Sequence, residues 1–211
     1  MATAKLNVVV LISGSGSNLQ AFIDRSEELN INICAVISNK PDAFGLERAR
    51  KANIPAIGIS HKEFDSREAF DEQLIKKIDT FKPELIILAG FMRILGTSFI
   101  DAFADKIINI HPSLLPKYKG LHTHQRAIEA GDKFHGASVH IVTLELDDGP
   151  VIIQGQLEVR DNDTPESLQQ RIHAIEHQIY PLAVKWIANK RVQIKNGEVF
   201  SAEKLDQLIL F

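Results

Sequence analysis

The chain has 211 residues with 45% hydrophobic and 24% charged side chains, which is the composition of an ordinary globular protein. A formal charge of −3 excludes the basic surface of nucleic-acid-binding proteins, and the single cysteine, Cys34, excludes an internal disulfide framework. No apolar run approaches the roughly 20 residues that span a bilayer, so we expect a cytoplasmic enzyme or binding protein without nucleic-acid or membrane partners.

Short apolar runs alternate with amphipathic helical stretches through the first half of the chain. The runs are nearly continuous, which is typical of strands in a parallel sheet covered on both faces. Helical spacing of apolar side chains before Pro83 predicts a helix over residues 66–81. The alternation predicts an open, doubly wound, mostly parallel α/β sheet. Its strands are predicted at Leu6–Ile12, Ile33–Ile37, Ile54–Ile59, Leu85–Leu88 and Ile107–Ile110.

The pattern changes after Pro112. Residues 112–124 are rich in proline and glycine and predict an ordered loop. Two β-rich runs follow, Ala137–Thr143 and Val151–Val159, and they predict an antiparallel addition to the sheet.

A long helix is predicted next, with Thr164 as its N-cap and Pro165 in its first turn. The tail predicts a hairpin that turns at Asn196-Gly197, followed by an apolar end. Because no linker or repeat is visible, residues 1–211 are interpreted as a single domain, with halves over residues 1–110 and 111–211.

The first candidate site directly follows the first strand and opens a helix, at Ser13-Gly14-Ser15-Gly16-Ser17-Asn18-Leu19. Glycines let the backbone approach a ligand, and the free N–H groups of a helix start bind an anion. A dinucleotide site would need a third glycine and an acidic residue after the second strand, where Ser38-Asn39-Lys40 stands instead. The pattern favours a monophosphate, with a purely structural turn as the alternative.

The second candidate is the pair Asn109 and His111 at the end of the fifth predicted strand. Strand geometry places the two side chains on one face, and Pro112 keeps His111 extended. An amide donor beside an imidazole suits transfer through a tetrahedral intermediate, because the amide can stabilise an oxyanion and the imidazole can donate or shuttle a proton. The alternative is a histidine that is merely hydrogen-bonded at a strand end.

Two further groups are ambiguous from the residues alone. A carboxylate of Asp147 or Asp148 near His111 would favour the protonated imidazole, but both residues could simply form a turn. The string His173-Ala174-Ile175-Glu176-His177 matches a zinc-peptidase pattern on one helical face. Since no third ligand is evident, we expect no metal. Neither a serine-hydrolase elbow nor a nucleotide P-loop is present, so the substrate's own amine is the expected nucleophile.

Four strings of residues together carry a resemblance to one family. They are Ser13-Gly14-Ser15-Gly16-Ser17-Asn18-Leu19-Gln20, Ser38-Asn39-Lys40, Ala89-Gly90-Phe91-Met92-Arg93-Ile94-Leu95 and Asn109-Ile110-His111-Pro112-Ser113-Leu114-Leu115-Pro116. The last string is typical of folate formyl chemistry, and the first narrows the substrate to a phosphoribosyl one. The chain thus resembles the phosphoribosylglycinamide formyltransferases of purine synthesis from about Leu6 to Trp186.

The resemblance implies a Rossmann-like formyltransferase fold, 10-formyltetrahydrofolate as co-substrate and no metal. It implies a catalytic trio of Asn109, His111 and Asp147, in which Asp147 holds His111 protonated. The residues implied for glycinamide ribonucleotide are Gly16, Ser17, Asn18, His173, Ala174, Ile175 and Glu176. The residues implied for folate are Arg67, Met92, Arg93, Ile94, Leu95, Asn109, Thr143, Leu144, Glu145, Leu146 and Asp147.

Three other functions are weighed against this one. Methionyl-tRNA formyltransferases share the string at Asn109, but the RNA-binding domain and basic surface that they need are not expected here. A 10-formyltetrahydrofolate hydrolase uses related chemistry, usually with an N-terminal regulatory domain. A phosphate-ligand sensor without turnover would have no need of a matched amide, imidazole and carboxylate. We expect a monomer or a weak homodimer.

Overall fold

The structure is a computed structural model that describes residues 4–201 and 203–211. It divides into two compact units, Met1–Ile108 and Asn109–Phe211. The division falls inside the fifth strand, two residues from the boundary that the sequence suggests between the halves. The interpretation of the chain as a single domain stays a prediction.

The first unit is built on parallel strands that pair in the order β4 (Leu85–Leu88), β1 (Leu6–Ile12), β2 (Ile31–Ser38) and β3 (Ala56–Gly58). Every residue from Val8 to Ile12 is completely buried, because helices cover a parallel sheet on both faces. This burial explains the continuous apolar runs in the sequence. The elements are β1 (Leu6–Ile12), α1 (Ser17–Leu29), β2 (Ile31–Ser38), α2 (Phe44–Lys51), β3 (Ala56–Gly58), α3 (Arg67–Asp79), β4 (Leu85–Leu88) and α4 (Thr97–Ala102).

Helix α3 shows how the sequence sets a boundary. The Ser66 hydroxyl accepts a hydrogen bond from the Ala69 N–H at 3.1 Å, which satisfies one of the free donors of the first turn. The buried side chains of Phe70, Leu74 and Ile78 follow the helical spacing seen in the sequence. The predicted helix is therefore confirmed, with its end at Asp79.

The second unit starts within β5 and carries the antiparallel part of the sheet. β6 pairs antiparallel with β7, and β10 pairs parallel with the other edge of β7. A separate antiparallel pair, β8 and β9, turns at Asn196 and Gly197, both at positive φ. The elements are β5 (Ile107–His111), α5 (Thr123–Glu129), β6 (Phe134–Ile141), β7 (Val151–Glu158), α6 (Pro165–Ala188), β8 (Val192–Lys195), β9 (Glu198–Ser201) and β10 (Leu208–Leu210).

Helix α6 begins as predicted. The Thr164 side chain accepts from the Ser167 N–H, and the Ser167 side chain accepts from the Thr164 N–H, which completes a capping box ahead of Pro165. Its apolar face supplies core residues, among them the fully buried Tyr180. Burial raises the pKa of the Tyr180 hydroxyl well above its ordinary value, with a smaller contribution from the nearby Glu176 charge.

The predicted fold class is confirmed: the chain is an α/β protein with a mostly parallel sheet and antiparallel C-terminal additions. Five predicted strands have other bounds in the structure, namely Ile33–Ile37, Ile54–Ile59, Ile107–Ile110, Ala137–Thr143 and Val151–Val159. Two segments differ in the kind of secondary structure. The loop predicted over residues 112–124 ends in a short helix, α5, and the apolar tail forms a strand, β10. Within the part of the chain that the structure describes, no helix combines the length and apolarity needed to cross a membrane.

Candidate active site

Strand β5 brings Asn109 and His111 to one side of its carboxyl end, two residues apart. His111 is 6% exposed, and Ile110 between them is also buried. Ligands of open α/β sheets bind beyond the carboxyl ends of the strands. The predicted pairing of an amide with an imidazole is therefore present at a position where a ligand would be expected.

Both ring nitrogens of His111 face hydrogen-bond acceptors. Nε2 lies 2.9 Å from the backbone carbonyl oxygen of Tyr118, and Nδ1 lies 3.3 Å from Oδ2 of Asp147. A carbonyl and a carboxylate can only accept, so an imidazolium with protons on both nitrogens satisfies both contacts. The side chain of Asp147 is 10% exposed, and its Oδ2 also accepts from the Gly120 N–H at 3.0 Å.

The structure distinguishes between the two neighbouring aspartates. Asp147 adopts a left-handed backbone conformation, with φ of 49°, and its carboxylate lies next to His111. Asp148 is exposed and pairs with Lys119 instead. The contact between Asp147 and His111 that the resemblance implied is thus present, whereas the residues alone left Asp147 as a turn residue.

His140 is a site residue that the sequence interpretation missed. Its Nδ1–H donates to the Ile141 carbonyl at 2.8 Å, and its Nε2 lies 3.2 Å from the Asn109 amide nitrogen and 3.7 Å from Oδ1 of Asp147. Burial lowers the pKa of His140, only partly offset by the Ile141 carbonyl and the Asp147 charge, which favours the neutral ring with Nε2 as the acceptor for the Asn109 amide. His140 therefore fixes which way the Asn109 amide points. It stands 31 residues from Asn109 in the chain, and the local sequence carries no signal for the contact.

His124 and His135 form a pair of histidines next to Tyr118, the residue whose carbonyl faces His111. Nδ1 of His124 lies 3.1 Å from Nε2 of His135, and the His135 ring also packs edge-on against Tyr118. Burial lowers the pKa of each of the two to about 4, with a smaller contribution from the charge of His173 at His124 and from the charge of His124 at His135. Because one nitrogen of the contact must be an acceptor, the pair requires at least one neutral ring.

The histidine pair leads to a prediction about stability and pH. A folded-state pKa of about 4, below the unfolded value of 6.5, means that the unfolded chain binds more protons between these limits. The stabilisation is fully present above pH 6.5 and is lost as the pH falls towards 4. Each ring contributes about 2 kcal/mol between pH 7 and pH 5 by linkage, and solvent screening at the half-buried His124 reduces the sum, so we expect the free energy of unfolding to drop by roughly 2–4 kcal/mol through this pair.

Urea unfolding across this pH range measures the effect. A His124→Asn/His135→Gln double variant should show a flatter dependence on pH, while His122→Gln, at an exposed neighbouring position, should keep the native slope. An unchanged slope in the double variant would contradict the assignment.

In the first unit, residues 13–18 comprise the turn between β1 and α1 and the first two residues of α1. We call this segment the phosphate loop, after the ligand that the sequence predicts for it. Gly16 stands at the helix start with φ of 70°, where it leaves the first N–H groups of α1 without a capping side chain. The loop packs on α2, because the Gly45 N–H donates to the Gly14 carbonyl at 3.0 Å. Arg48 donates from Nε to the Ser15 carbonyl at 2.8 Å. The predicted turn is thus tightly held at the start of a helix.

Gly16→Ala is expected to destabilise the fold. A Cβ at Gly16 would lie 2.8 Å from the Cα of Gly45, and the left-handed backbone conformation disfavours any side chain. The two effects should cost roughly 2–4 kcal/mol in a urea unfolding experiment. Gly14→Ala is the matched control, since a Cβ there has no neighbour within 4 Å. Equal stability of the two variants would disprove this account of the loop.

The two segments that are predicted to contact folate each contain large apolar side chains that are mostly exposed to solvent. In the first unit, Met92 is 70% and Ile94 57% exposed. In the second unit, Leu144 is 58% and Leu146 54% exposed. Contiguous exposed apolar patches are a feature of ligand-binding surfaces, so this exposure agrees with the predicted role of the two segments. The remaining predicted positions are loop or helix-start residues, namely Arg67, Arg93, Leu95, Thr143 and Glu145.

The residues on α6 that are predicted to contact the ribonucleotide differ in their burial. Ile175 is buried, and its Cγ2 would lie 2.2 Å from a Cβ added at Gly155, so its side chain packs the helix against the sheet. His173 is half-buried, Ala174 is exposed and Glu176 is buried. Among the described residues, no group of three His, Cys, Asp or Glu side chains is arranged to hold a metal ion.

Comparison with known proteins gives a consistent result. The model of the formyl transferase family matches residues 6–184. The chain is 52% identical to the phosphoribosylglycinamide formyltransferase of Escherichia coli (strain K12), over 90% of each chain. It is 46% identical to the trifunctional purine biosynthetic protein adenosine-3 of Chironomus tentans, over 93% of this chain and 15% of that protein. A solved phosphoribosylglycinamide formyltransferase from Coxiella burnetii has a TM-score of 0.91 at 51% identity, covering 98% of this chain and 99% of that one. The chain therefore belongs to the formyl transferase family.

Proposed function

We propose that this enzyme transfers the formyl group of 10-formyltetrahydrofolate to the amine of N1-(5-phospho-D-ribosyl)glycinamide in purine biosynthesis. The observation that carries the proposal is the arrangement of Asn109, His111 and Asp147 at the end of β5, in a member of the formyl transferase family. The relatives at about half identity are phosphoribosylglycinamide formyltransferases, which supports formyl transfer to this acceptor. They do not favour a hydrolase or a sensor.

The proposed reaction is a direct acyl transfer. The glycinamide amine attacks the formyl carbon, a new C–N bond forms, and the carbonyl oxygen becomes an oxyanion. The bond from the formyl carbon to N10 of the folate then breaks, as a proton passes from the ammonium to N10. The products are formylglycinamide ribonucleotide and tetrahydrofolate, with atoms and charge balanced.

Asn109 and His111 would stabilise the oxyanion. One amide hydrogen of Asn109 is directed at Nε2 of His140, which leaves the other available for the substrate. The His111 imidazolium would supply the second donor, and the Asp147 carboxylate would favour its charged form. In the structure, Nε2 of His111 faces the Tyr118 carbonyl at 2.9 Å. Catalysis therefore requires the oxyanion to replace this carbonyl as the acceptor.

Three groups of residues would bind the two substrates. Gly16, Ser17 and Asn18 would bind the phosphate through the helix start, where backbone N–H groups and the helix dipole favour an anion. His173, Ala174 and Glu176 would contact the ribose and glycinamide end, with Ile175 holding the helix in place. Arg67, residues 92–95 and residues 143–147 would contact the folate. The cytoplasmic location and the monomeric or weakly dimeric state stay predictions.

A single assay tests the proposal. The absorbance change on conversion of 10-formyltetrahydrofolate to tetrahydrofolate is followed with and without glycinamide ribonucleotide. We expect turnover only when the ribonucleotide is present. Equal turnover in its absence would identify a hydrolase, and no turnover under either condition would favour a sensor.

A further inference from the structure

Ser13 is the first residue of the phosphate loop and follows the last residue of β1. It is 4% exposed, although its side chain is polar. Its hydroxyl is the meeting point of two other chain segments, the residues after β2 and the residues after β4. Both segments begin at the edge of the sheet where Ser13 lies, because β2 and β4 run parallel to β1.

The proton of the Ser13 hydroxyl is directed by Asn39. Oγ of Ser13 donates to Oδ1 of Asn39 at 2.5 Å, and Asn39 is itself 3% exposed. The backbone carbonyl of Asn39 faces Nδ1 of His61 at 3.0 Å, which holds this residue in turn. With its only proton used, the Ser13 oxygen can act solely as an acceptor towards any further partner.

That further partner is the backbone N–H of Met92, which donates to Ser13 Oγ at 2.7 Å. Met92 begins the folate segment, which we define as residues 92–95. The opposite end of this segment is held independently, because the Gly96 N–H donates to Oδ2 of Asp71 at 2.7 Å. Only the first of these two anchors contacts the phosphate loop.

We propose that Ser13 is a positioning residue that couples the phosphate loop to the folate segment, so that an anion bound at the loop strengthens folate binding. The proposal rests on the proposed function for the identities of the two ligands. An anion at the helix start adds its own hydrogen bonds to those that already hold residues 13–18, and so fixes the Ser13 hydroxyl further in the position where it accepts from Met92. The folate segment then loses less conformational entropy when it binds its ligand, so the ligand binds more tightly, which is positive cooperativity.

The test uses inorganic phosphate, which fills the phosphate loop but lacks every part of the substrate that would touch folate. Binding of tetrahydrofolate to the full chain is measured by calorimetry with and without saturating phosphate, at constant ionic strength. We expect phosphate to tighten tetrahydrofolate binding about fivefold in the native chain, the value of one net hydrogen bond. In Ser13→Ala this ratio should fall to about one, because Met92 loses the acceptor.

Asp71→Ala is the matched control. It removes the anchor at Gly96 and should weaken tetrahydrofolate binding by the same factor with and without phosphate, so the fivefold ratio is kept. Ser98→Ala, at an exposed position on α4, should change nothing. If Ser13→Ala does not fold, Asn39→Ala tests the same step, since the freed hydroxyl can turn its proton towards Met92 and the ratio should decrease.

Two results would overturn the coupling: a ratio of one in the native chain, or a native ratio that persists in the Ser13 and Asn39 variants. A different result would overturn the proposed function. If the native chain bound no tetrahydrofolate and showed no formyl transfer, the ligand assignments themselves would fail, and the coupling with them.

Discussion

Asp147→Asn is expected to lower kcat by about 10²–10⁴-fold, with little change in KM for either substrate. The Asp147 carboxylate lies 3.3 Å from Nδ1 of His111 and also accepts from the Gly120 N–H. An asparagine has nearly the same shape but no charge, so it no longer favours the imidazolium that the oxyanion needs. Because ground-state contacts to the substrates are not removed, the loss should appear in the chemical step.

Asp148→Asn provides the control at the next position. Asp148 is exposed and pairs with Lys119, so the same change of charge should alter kcat by less than about twofold. Both variants are assayed for formyl transfer across the pH range. A native kcat and an unchanged pH profile in Asp147→Asn would rule out the role assigned to this carboxylate.

The sequence was sufficient for the elements that follow simple periodic rules. β1 and β4 have the predicted bounds, and the capped start of α6 at Thr164 is also where it was expected. Asn109 and His111 share one side of β5 because side chains in a strand repeat every two residues. These features depend on neighbours in the chain, and a single sequence contains that information.

The contacts that complete the site depend on distant parts of the chain. Asp147 sits in a turn, and only the resemblance to a family raised it above the alternative of a turn former. His140 had no pattern around it, and its role follows from a contact with Asn109 across 31 positions. The Tyr118 carbonyl lies 2.9 Å from His111, and Tyr118 has a positive φ of 55°. This conformation is uncommon for a tyrosine and cannot be predicted from the residue type. Such contacts follow from tertiary packing and not from local preference.

The C-terminal tail contains one element that the sequence predicts and one that it does not. Its hairpin was predicted from Asn196-Gly197, a local turn signal. Strand β10 was missed because it pairs with β7, more than fifty positions away, at the edge of the sheet. A three-residue strand has no periodicity of its own, so pairing alone defines it.

Asn109→Ala should lower kcat by about 10²–10³-fold, the usual effect of removing one donor to an oxyanion. A group that binds only the transition state changes kcat and kcat/KM together, so KM should stay near its native value. A loss confined to KM would show that Asn109 binds the ground state instead. This experiment alone does not reveal what His140 contributes, because His140 acts through the amide.

His140→Leu separates positioning from catalysis. It removes the acceptor for the Asn109 amide, which lies 3.2 Å away, so the amide can rotate and kcat should fall about tenfold. In the Asn109→Ala background the same change should have almost no further effect on kcat, because there is no amide left to orient. A purely structural loss would multiply the two effects and lower the unfolding midpoint. A His140→Gln variant, which keeps an acceptor at this position, should recover part of the native kcat.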